Sequence, residues 1–142
     1  MKDLLNPAQA ISLFTVLKMF EENLRQINFW LDGAEINGIL YHSKLHLPAD
    51  KATLAKEIVA HALNLIEMLA KEIKLEPIEE DPARQIIGQM SVSWANLVDT
   101  RSRKLKRYGE VNSGVAEALD PHIDRLARLA LNLASIFESK ED

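Results

Sequence analysis

Hydrophobic residues recur mainly at steps of three and four along four long stretches of the chain, which is the spacing of one face of an α-helix. The first two stretches carry the stripes Ala10, Leu13, Leu17, Phe20, Leu24, Ile27, Leu31 and Leu54, Ile58, Leu65, Leu69, Ile73. The other two carry Ile87, Met90, Trp94, Leu97 or Val98, Leu105, Tyr108 and Ile123, Leu126, Ala130, Leu133, Phe137. We therefore predict four helices of roughly 20 to 25 residues. At 1.5 Å per residue, each would be about 30–37 Å long.

Three helix starts are marked by an acidic or amide residue followed by proline, at Asn6-Pro7, Asp81-Pro82 and Asp120-Pro121. An Asn or Asp side chain accepts hydrogen bonds from the free N–H groups of a first turn, and proline at the next position loses no bond there. A fourth start is predicted near Pro48 or Asp50. Val115 lies before Pro121 and is in phase with the apolar stripe of the fourth helix. A turn or two of helix is therefore expected before this proline, ending in a kink.

The connection between the first two helices, residues 32–49, is longer than the others and carries a hairpin signal. Asn37-Gly38 stands between Ile36 and Ile39, and a two-residue hairpin turn of type I′ needs positive φ at both central positions. Residues 39–47 also alternate roughly with a period of two. The segment is predicted to form either a short hairpin or one or two extra helical turns.

Short connections between the other helices favour an all-α fold, namely an antiparallel four-helix bundle that forms a single domain over residues 1–142. In such a bundle the end of the third helix lies beside the 32–49 connection and the start of the fourth helix. The opposite end is predicted to be acidic, with Glu76, Glu79, Glu80, Asp81, Glu138, Glu141 and Asp142.

Composition narrows the functional classes. The chain has no cysteine, which excludes a disulfide framework and a cysteine nucleophile. No run of 18 apolar residues is present, so the sequence predicts no membrane-spanning helix, and we expect a cytoplasmic location. No catalytic or cofactor motif is recognisable, and the paired Glu-x-x-His of di-iron bundles is missing. We therefore predict no cofactor and favour a protein that is not an enzyme.

Positive charge is concentrated in one segment of this acidic chain, whose formal net charge is −4. The basic cluster, residues 101–108, contains Arg101, Arg103, Lys104, Lys106, Arg107 and Tyr108. Gly109 follows as a residue that commonly ends a helix, so we place the cluster at the end of the third helix. Two interpretations stay open: the cations cap the negative end of the helix dipole, or they bind an anionic partner.

Arg101 differs from the other cations of the cluster because it falls near the apolar seam, seven residues after Trp94 and seven before Tyr108. A charge in this position is predicted to be partly buried and paired, since an unpaired buried charge is very costly. Its expected partner is a carboxylate of the fourth helix or of the loop.

His42 and His46 share a face whether their segment is a strand or a helix. Two imidazoles can begin a zinc or nickel site. No motif supplies a third ligand, so we predict no metal and assign both histidines to a surface or loop-packing role.

The sequence favours a small regulatory or adaptor module that acts through protein–protein interaction. Its predicted binding surface consists of Arg101, Arg103, Lys104, Arg107, Tyr108, His42 and His46. The alternative is a protein that binds nucleic acid or a phosphate ligand through the Arg101–Arg107 segment. Small residues on the third helix and a wide apolar face on the first helix also leave a homodimer open.

Overall fold

A computed structural model describes residues 4–138 of the chain, and most of these residues are helical. The chain divides into two compact units, Met1–Ile78 and Glu79–Asp142. The all-α class is therefore supported in broad terms, whereas the four-helix bundle and the single domain stay predictions. Glu141 and Asp142, which the sequence predicts at the acidic end, lie outside the described residues.

The first unit has two long helices with a β-hairpin between them. Its elements are α1 (Pro7–Leu31), β1 (Glu35–Asn37), β2 (His42–Lys44) and α2 (Ala49–Glu72). Asn6 Oδ1 accepts a 2.8 Å hydrogen bond from the Gln9 amide, and Gln9 Oε1 accepts a 3.0 Å bond from the Asn6 amide. This capping box confirms the first predicted helix start. α2 begins directly after Pro48, which confirms the start predicted there.

The hairpin alternative for residues 32–49 is confirmed, because β1 and β2 pair antiparallel with Ile36 opposite Ser43. The predicted two-residue turn is wrong. Asn37 pairs with His42, so the loop runs from Gly38 to Tyr41, and the Gly38 amide donates a 2.9 Å hydrogen bond to the Tyr41 carbonyl. Gly38 has no positive φ. A Cβ there would stand 3.0 Å from the Tyr41 oxygen, so close approach explains this glycine.

α1 packs against α2, and each helix contributes one buried hydrophobic residue. These residues are Leu24 and Val59, both 4% exposed. Along α1 the half-buried Leu13, Leu17 and Leu31 lie on the stripe that the sequence predicted. Phe20 and Ile27 belong to the same predicted stripe but are 48% and 44% exposed, so the buried face is narrower than the apolar face of the helix.

The buried face of α2 agrees with the predicted one only at Leu69 and Ile73, which are half-buried. Half-buried residues continue the stripe of Val59 at steps of three and four, namely Ala52, Ala55, Ala62, Ile66, Leu69 and Ile73. The predicted core residues Leu54, Ile58 and Leu65 are instead 56%, 59% and 50% exposed. Adjacent helical residues are about 100° apart around the axis, so α2 carries two parallel apolar stripes. Burial falls on the stripe that contains the alanines.

The second unit contains α3 (Ala83–Val98), a short α4 (Ser102–Leu105), one 3₁₀ turn (Lys106–Tyr108) and α5 (Val115–Glu138). Asp81 Oδ1 accepts a 3.0 Å hydrogen bond from the Ala83 amide, which confirms the helix start predicted at Asp81-Pro82. α3 packs against α5, and the two helices of this pair stay close together over more of their length than α1 and α2 do.

Two boundaries predicted for this unit are wrong. The third helix ends at Val98 rather than at Gly109, because Arg101 adopts an extended backbone (φ −62°, ψ 151°) from which α4 starts separately. Asp120-Pro121 is not a helix start, because α5 begins at Val115 and continues through the proline. The Asp120 carboxylate is instead used by α4, as described below for the candidate site.

α5 repeats the two-stripe pattern of α2. Its buried stripe consists of Ile123, Ala127, Ala130 and Ala134, which are 5–8% exposed. The predicted face of this helix combined members of both stripes, and its residues Leu126, Leu133 and Phe137 are 40–49% exposed. Interaxial distance depends on the side chains at the contact, so a stripe of alanines lets α3 and α5 approach closely.

Candidate functional site

The basic cluster lies on α4 and the following 3₁₀ turn, and one carboxylate ties this segment to α5. Asp120 Oδ1 accepts a 2.8 Å hydrogen bond from the Ser102 amide, and Oδ2 accepts a 2.8 Å bond from the Ser102 hydroxyl. Ser102 is only 8% exposed, so both donors would be costly if they were left without acceptors. Asp120 therefore determines where the basic cluster begins on the surface of the second unit.

The same hydrogen bonds lower the pKa of Asp120 below its ordinary value of 3.8. The bond from the Ser102 amide is the largest cause, and the bond from the Ser102 hydroxyl is the second. Desolvation acts in the opposite direction, and the positive charge of Arg101 adds a smaller lowering. The carboxylate is therefore ionised at neutral pH, which keeps both of its hydrogen bonds to Ser102 charge-assisted.

Arg101 pairs with α5, since its Nε lies 3.2 Å from Asp124 Oδ1. The predicted partner, a carboxylate of the last long helix, is thereby confirmed. Both side chains are about half exposed, Arg101 at 45% and Asp124 at 50%, so position 101 is less buried than a position within the apolar seam, because α3 ends at Val98. An exposed pair of this kind stabilises a fold by about 0.2–1 kcal/mol.

Arg107 and Tyr108 interact within the cluster itself. An Arg107 guanidinium nitrogen lies 3.4 Å from Asp99 Oδ2, and the guanidinium carbon is 5.6 Å from the centroid of the Tyr108 ring. The Tyr108 side chain is 79% exposed. Arg107 therefore helps to shape the turn, while the aromatic ring is available to a partner.

Arg103, Lys104 and Lys106 are exposed, and none of them forms an ion pair with an acidic residue in the 4–138 range. They lie beyond the end of α3 on a separate turn, so they do not cap that helix as the first interpretation required. α4 has only 4 residues, too few for a substantial helix dipole. These three cations are the part of the basic cluster that local structure leaves unexplained.

The two candidate histidines belong to the first unit. His42 lies on β2, where its Nδ1 is 3.1 Å from Asn37 Oδ1, and His46 follows the strand; both are exposed. Among the described residues, no group of three His, Asp or Glu side chains could hold a metal ion. A surface shared by these histidines and the basic cluster, as expected from the sequence, stays a prediction.

A second surface of the second unit was not singled out from the sequence. Along α5, large side chains at steps of three, four and three are 45–66% exposed; we define Leu126, Leu129, Leu133 and Ile136 as the aliphatic stripe. Three of its residues stand one position before a residue of the buried stripe, as Leu129 does before Ala130. The sequence does contain a signal for this surface, namely two apolar repeats along α5 that are offset by one residue. The repeat with smaller side chains marks the buried face.

One edge of the aliphatic stripe is basic. At about 100° per residue, Arg125 and Arg128 lie on the side of the stripe that is remote from the buried alanines. Both are exposed, and neither forms an ion pair with a described residue. Between Asp124 and Glu138, α5 contains no acidic residue, and Asp124 is already paired with Arg101. We define Arg125 and Arg128 as the basic edge.

Comparison of the chain with models of protein families, with curated proteins and with solved structures gave no match. Every helix within residues 4–138 is too short or too polar to cross a membrane. The basic cluster and the aliphatic stripe are therefore the two candidate sites of the second unit.

Proposed function

We propose that the chain is a non-enzymatic protein-interaction module of the regulatory or adaptor type, and that its second unit carries the binding surface. The observation behind this proposal is the aliphatic stripe, whose four side chains remain 45–66% exposed while smaller alanines of the same helix are buried. Fully burying one such side chain is worth about 1.5–3 kcal/mol. Contiguous exposed apolar surface of this kind is typical of interaction sites.

The basic cluster contributes to this proposed surface in two ways. Arg101 and Arg107 are held by Asp124 and Asp99, so they support the shape of the turn. Arg103, Lys104 and the ring of Tyr108 are exposed and available to a partner. Arg and Tyr are enriched among residues that dominate binding energies at interfaces. The cytoplasmic location expected from the sequence stays a prediction, and the homodimer that the sequence leaves open is not tested.

Quantitative affinity capture from native lysate tests this function, with Leu129→Gln/Leu133→Gln compared with the wild type. The matched control is Ile58→Gln/Leu65→Gln, which changes two aliphatic residues of α2 that are 59% and 50% exposed. We expect the α5 variant to lose partners that the control retains, with circular dichroism of both unchanged. An α5 variant that retains the full set of partners would contradict the proposal.

A second candidate function is the binding of nucleic acid or a phosphate ligand, which is favoured by the three cations that have no acidic partner within residues 4–138. If Arg103, Lys104 and Lys106 each contact one phosphate, the affinity for duplex DNA should fall as the salt concentration rises. A plot of the logarithm of the association constant against the logarithm of the salt concentration should have a slope of about −2.7. Fluorescence anisotropy with labelled oligonucleotides measures this slope. Arg103→Glu/Lys104→Glu should abolish binding, and no binding of the wild type at low salt would exclude this candidate.

A further inference from the structure

We infer that the aliphatic stripe of α5 docks an amphipathic helix of another protein, and that acidic residues border the apolar face of that helix. The inference rests on the proposed interaction function and adds the chemistry of the partner. It follows from the spacing of the stripe, from the charge of its edge and from the poor fit of a second copy of α5.

The spacing of the stripe suits a helical partner. Leu126 and Ile136 are separated by ten residues, which is about 15 Å along a helix axis. Helices recognised in grooves present anchors at i, i+3 or i+4, and i+7, and the stripe offers the same periodicity in return. A ridge of this length is therefore matched by two to three turns of a second helix.

The basic edge determines the charge of the partner. Arg125 and Arg128 are exposed beside the stripe without an acidic partner among residues 4–138. A carboxylate on the docked helix would supply that partner, and the planar guanidinium can bind it through two parallel hydrogen bonds. Complementary charges at the rim set orientation and association rate, whereas like charges there oppose docking.

A second copy of α5 fits this surface poorly. In a symmetric antiparallel pair of α5 helices the same edges face each other, and between Asp124 and Glu138 this edge carries no acidic residue. In a symmetric parallel pair the basic edge would face the opposite edge of the stripe, where Phe137 is uncharged and 40% exposed. Among the described residues of α5, neither arrangement places a carboxylate against the arginines.

Two labelled probe peptides of about 21 residues, or three heptads, test the inference with the full chain. Both have leucine at the two apolar positions of each heptad, and their bordering positions carry Glu in one probe and Lys in the other. By fluorescence anisotropy in about 50 mM salt, we expect the Glu probe to bind roughly tenfold or more tightly than the Lys probe. Arg125→Glu/Arg128→Glu should reverse this preference.

The charge-matched control is Lys51→Glu/Arg84→Glu, which changes the net charge by the same amount on α2 and α3 and should leave the preference intact. Leu129→Gln/Leu133→Gln should weaken the Glu probe roughly tenfold or more. If the wild type binds both probes equally and this variant binds neither, the proposed interaction function is supported. The acidic border inferred for the partner helix would then be wrong. Absence of binding by either probe also overturns the inference.

Two further measurements decide between occupants of the stripe. A wild-type dimer in analytical ultracentrifugation that Leu129→Gln/Leu133→Gln converts to a monomer would assign the stripe to a second copy and overturn the inference. Sedimentation with anionic lipid vesicles that is lost in the same variant would assign the stripe to a membrane surface and overturn it as well. We expect a wild-type monomer that does not sediment with the vesicles.

Discussion

α1 and α2 bury large aliphatic side chains, Leu24 and Val59, whereas α5 buries mainly alanines in its contact with α3. The second pair is also the closer one, although α3 is the shorter of its two helices. Both α2 and α5 carry two apolar stripes one residue apart, and in each helix the stripe with larger side chains is more exposed. In a helix with two apolar stripes, side-chain size as well as hydrophobicity therefore determines which stripe is buried.

The largest expected effect is truncation in the first unit. Leu24→Ala should lower the free energy of unfolding by about 2–5 kcal/mol, because it removes a buried side chain and leaves a cavity. Urea unfolding followed by Trp30 fluorescence in a Trp94→Phe background reports on this unit. Ile11→Ala, at a position that is 68% exposed, is the control and should change stability by less than about 0.5 kcal/mol. Equal effects of both changes would contradict this account of the first pair.

Enlargement should break the second pair. Ala130→Leu introduces three extra carbons between α3 and α5 and should cost about 1–3 kcal/mol through overpacking. Trp94 fluorescence in a Trp30→Phe background measures this loss. The control is Ala118→Leu, because Ala118 is exposed on the same helix and has space for the larger side chain. An unchanged free energy of unfolding for Ala130→Leu would show that alanine size does not set the approach of these helices.

The link between the basic cluster and α5 should depend on pH. The folded-state pKa of Asp120 is lowered, so its stabilisation is complete above the unfolded-state pKa and is lost as pH falls through the folded-state pKa. The stability difference between wild type and Asp120→Asn should therefore be constant at neutral pH and shrink below the ordinary value of 3.8. Urea unfolding followed by Trp94 across this range measures it. A pH-independent difference would contradict the role of the ionised carboxylate.

The smallest expected effect concerns the aliphatic stripe. Leu129→Gln/Leu133→Gln should change the free energy of unfolding by less than about 0.5 kcal/mol per substitution, because both side chains are about half exposed. Urea unfolding followed by Trp94 fluorescence measures this difference. A loss of several kcal/mol would show that these leucines support the fold itself, and it would remove the contrast between the two stripes of α5.

Much of the local structure could be predicted from the sequence. The Asn6 capping box, the start at Asp81-Pro82 and the hairpin each depend on residues only a few positions apart. The carboxylate partner of Arg101 was also anticipated, because a cation near an apolar seam needs compensation. The sequence pattern did not single out the aliphatic stripe, because the predicted face combines Leu126 and Leu133 with Ala130 and leaves out Leu129 and Ile136.

The helical segments and most of their starts follow from local sequence, because caps, prolines and apolar periodicity act within one or two turns. Which of two apolar stripes is buried depends on tertiary packing, since it is set by how closely a neighbouring helix approaches. The tertiary structure also decided that α3 ends at Val98 and that α4 forms a separate turn. The residue that holds α4, Asp120, lies 18 positions from Ser102, and no local pattern connects the two.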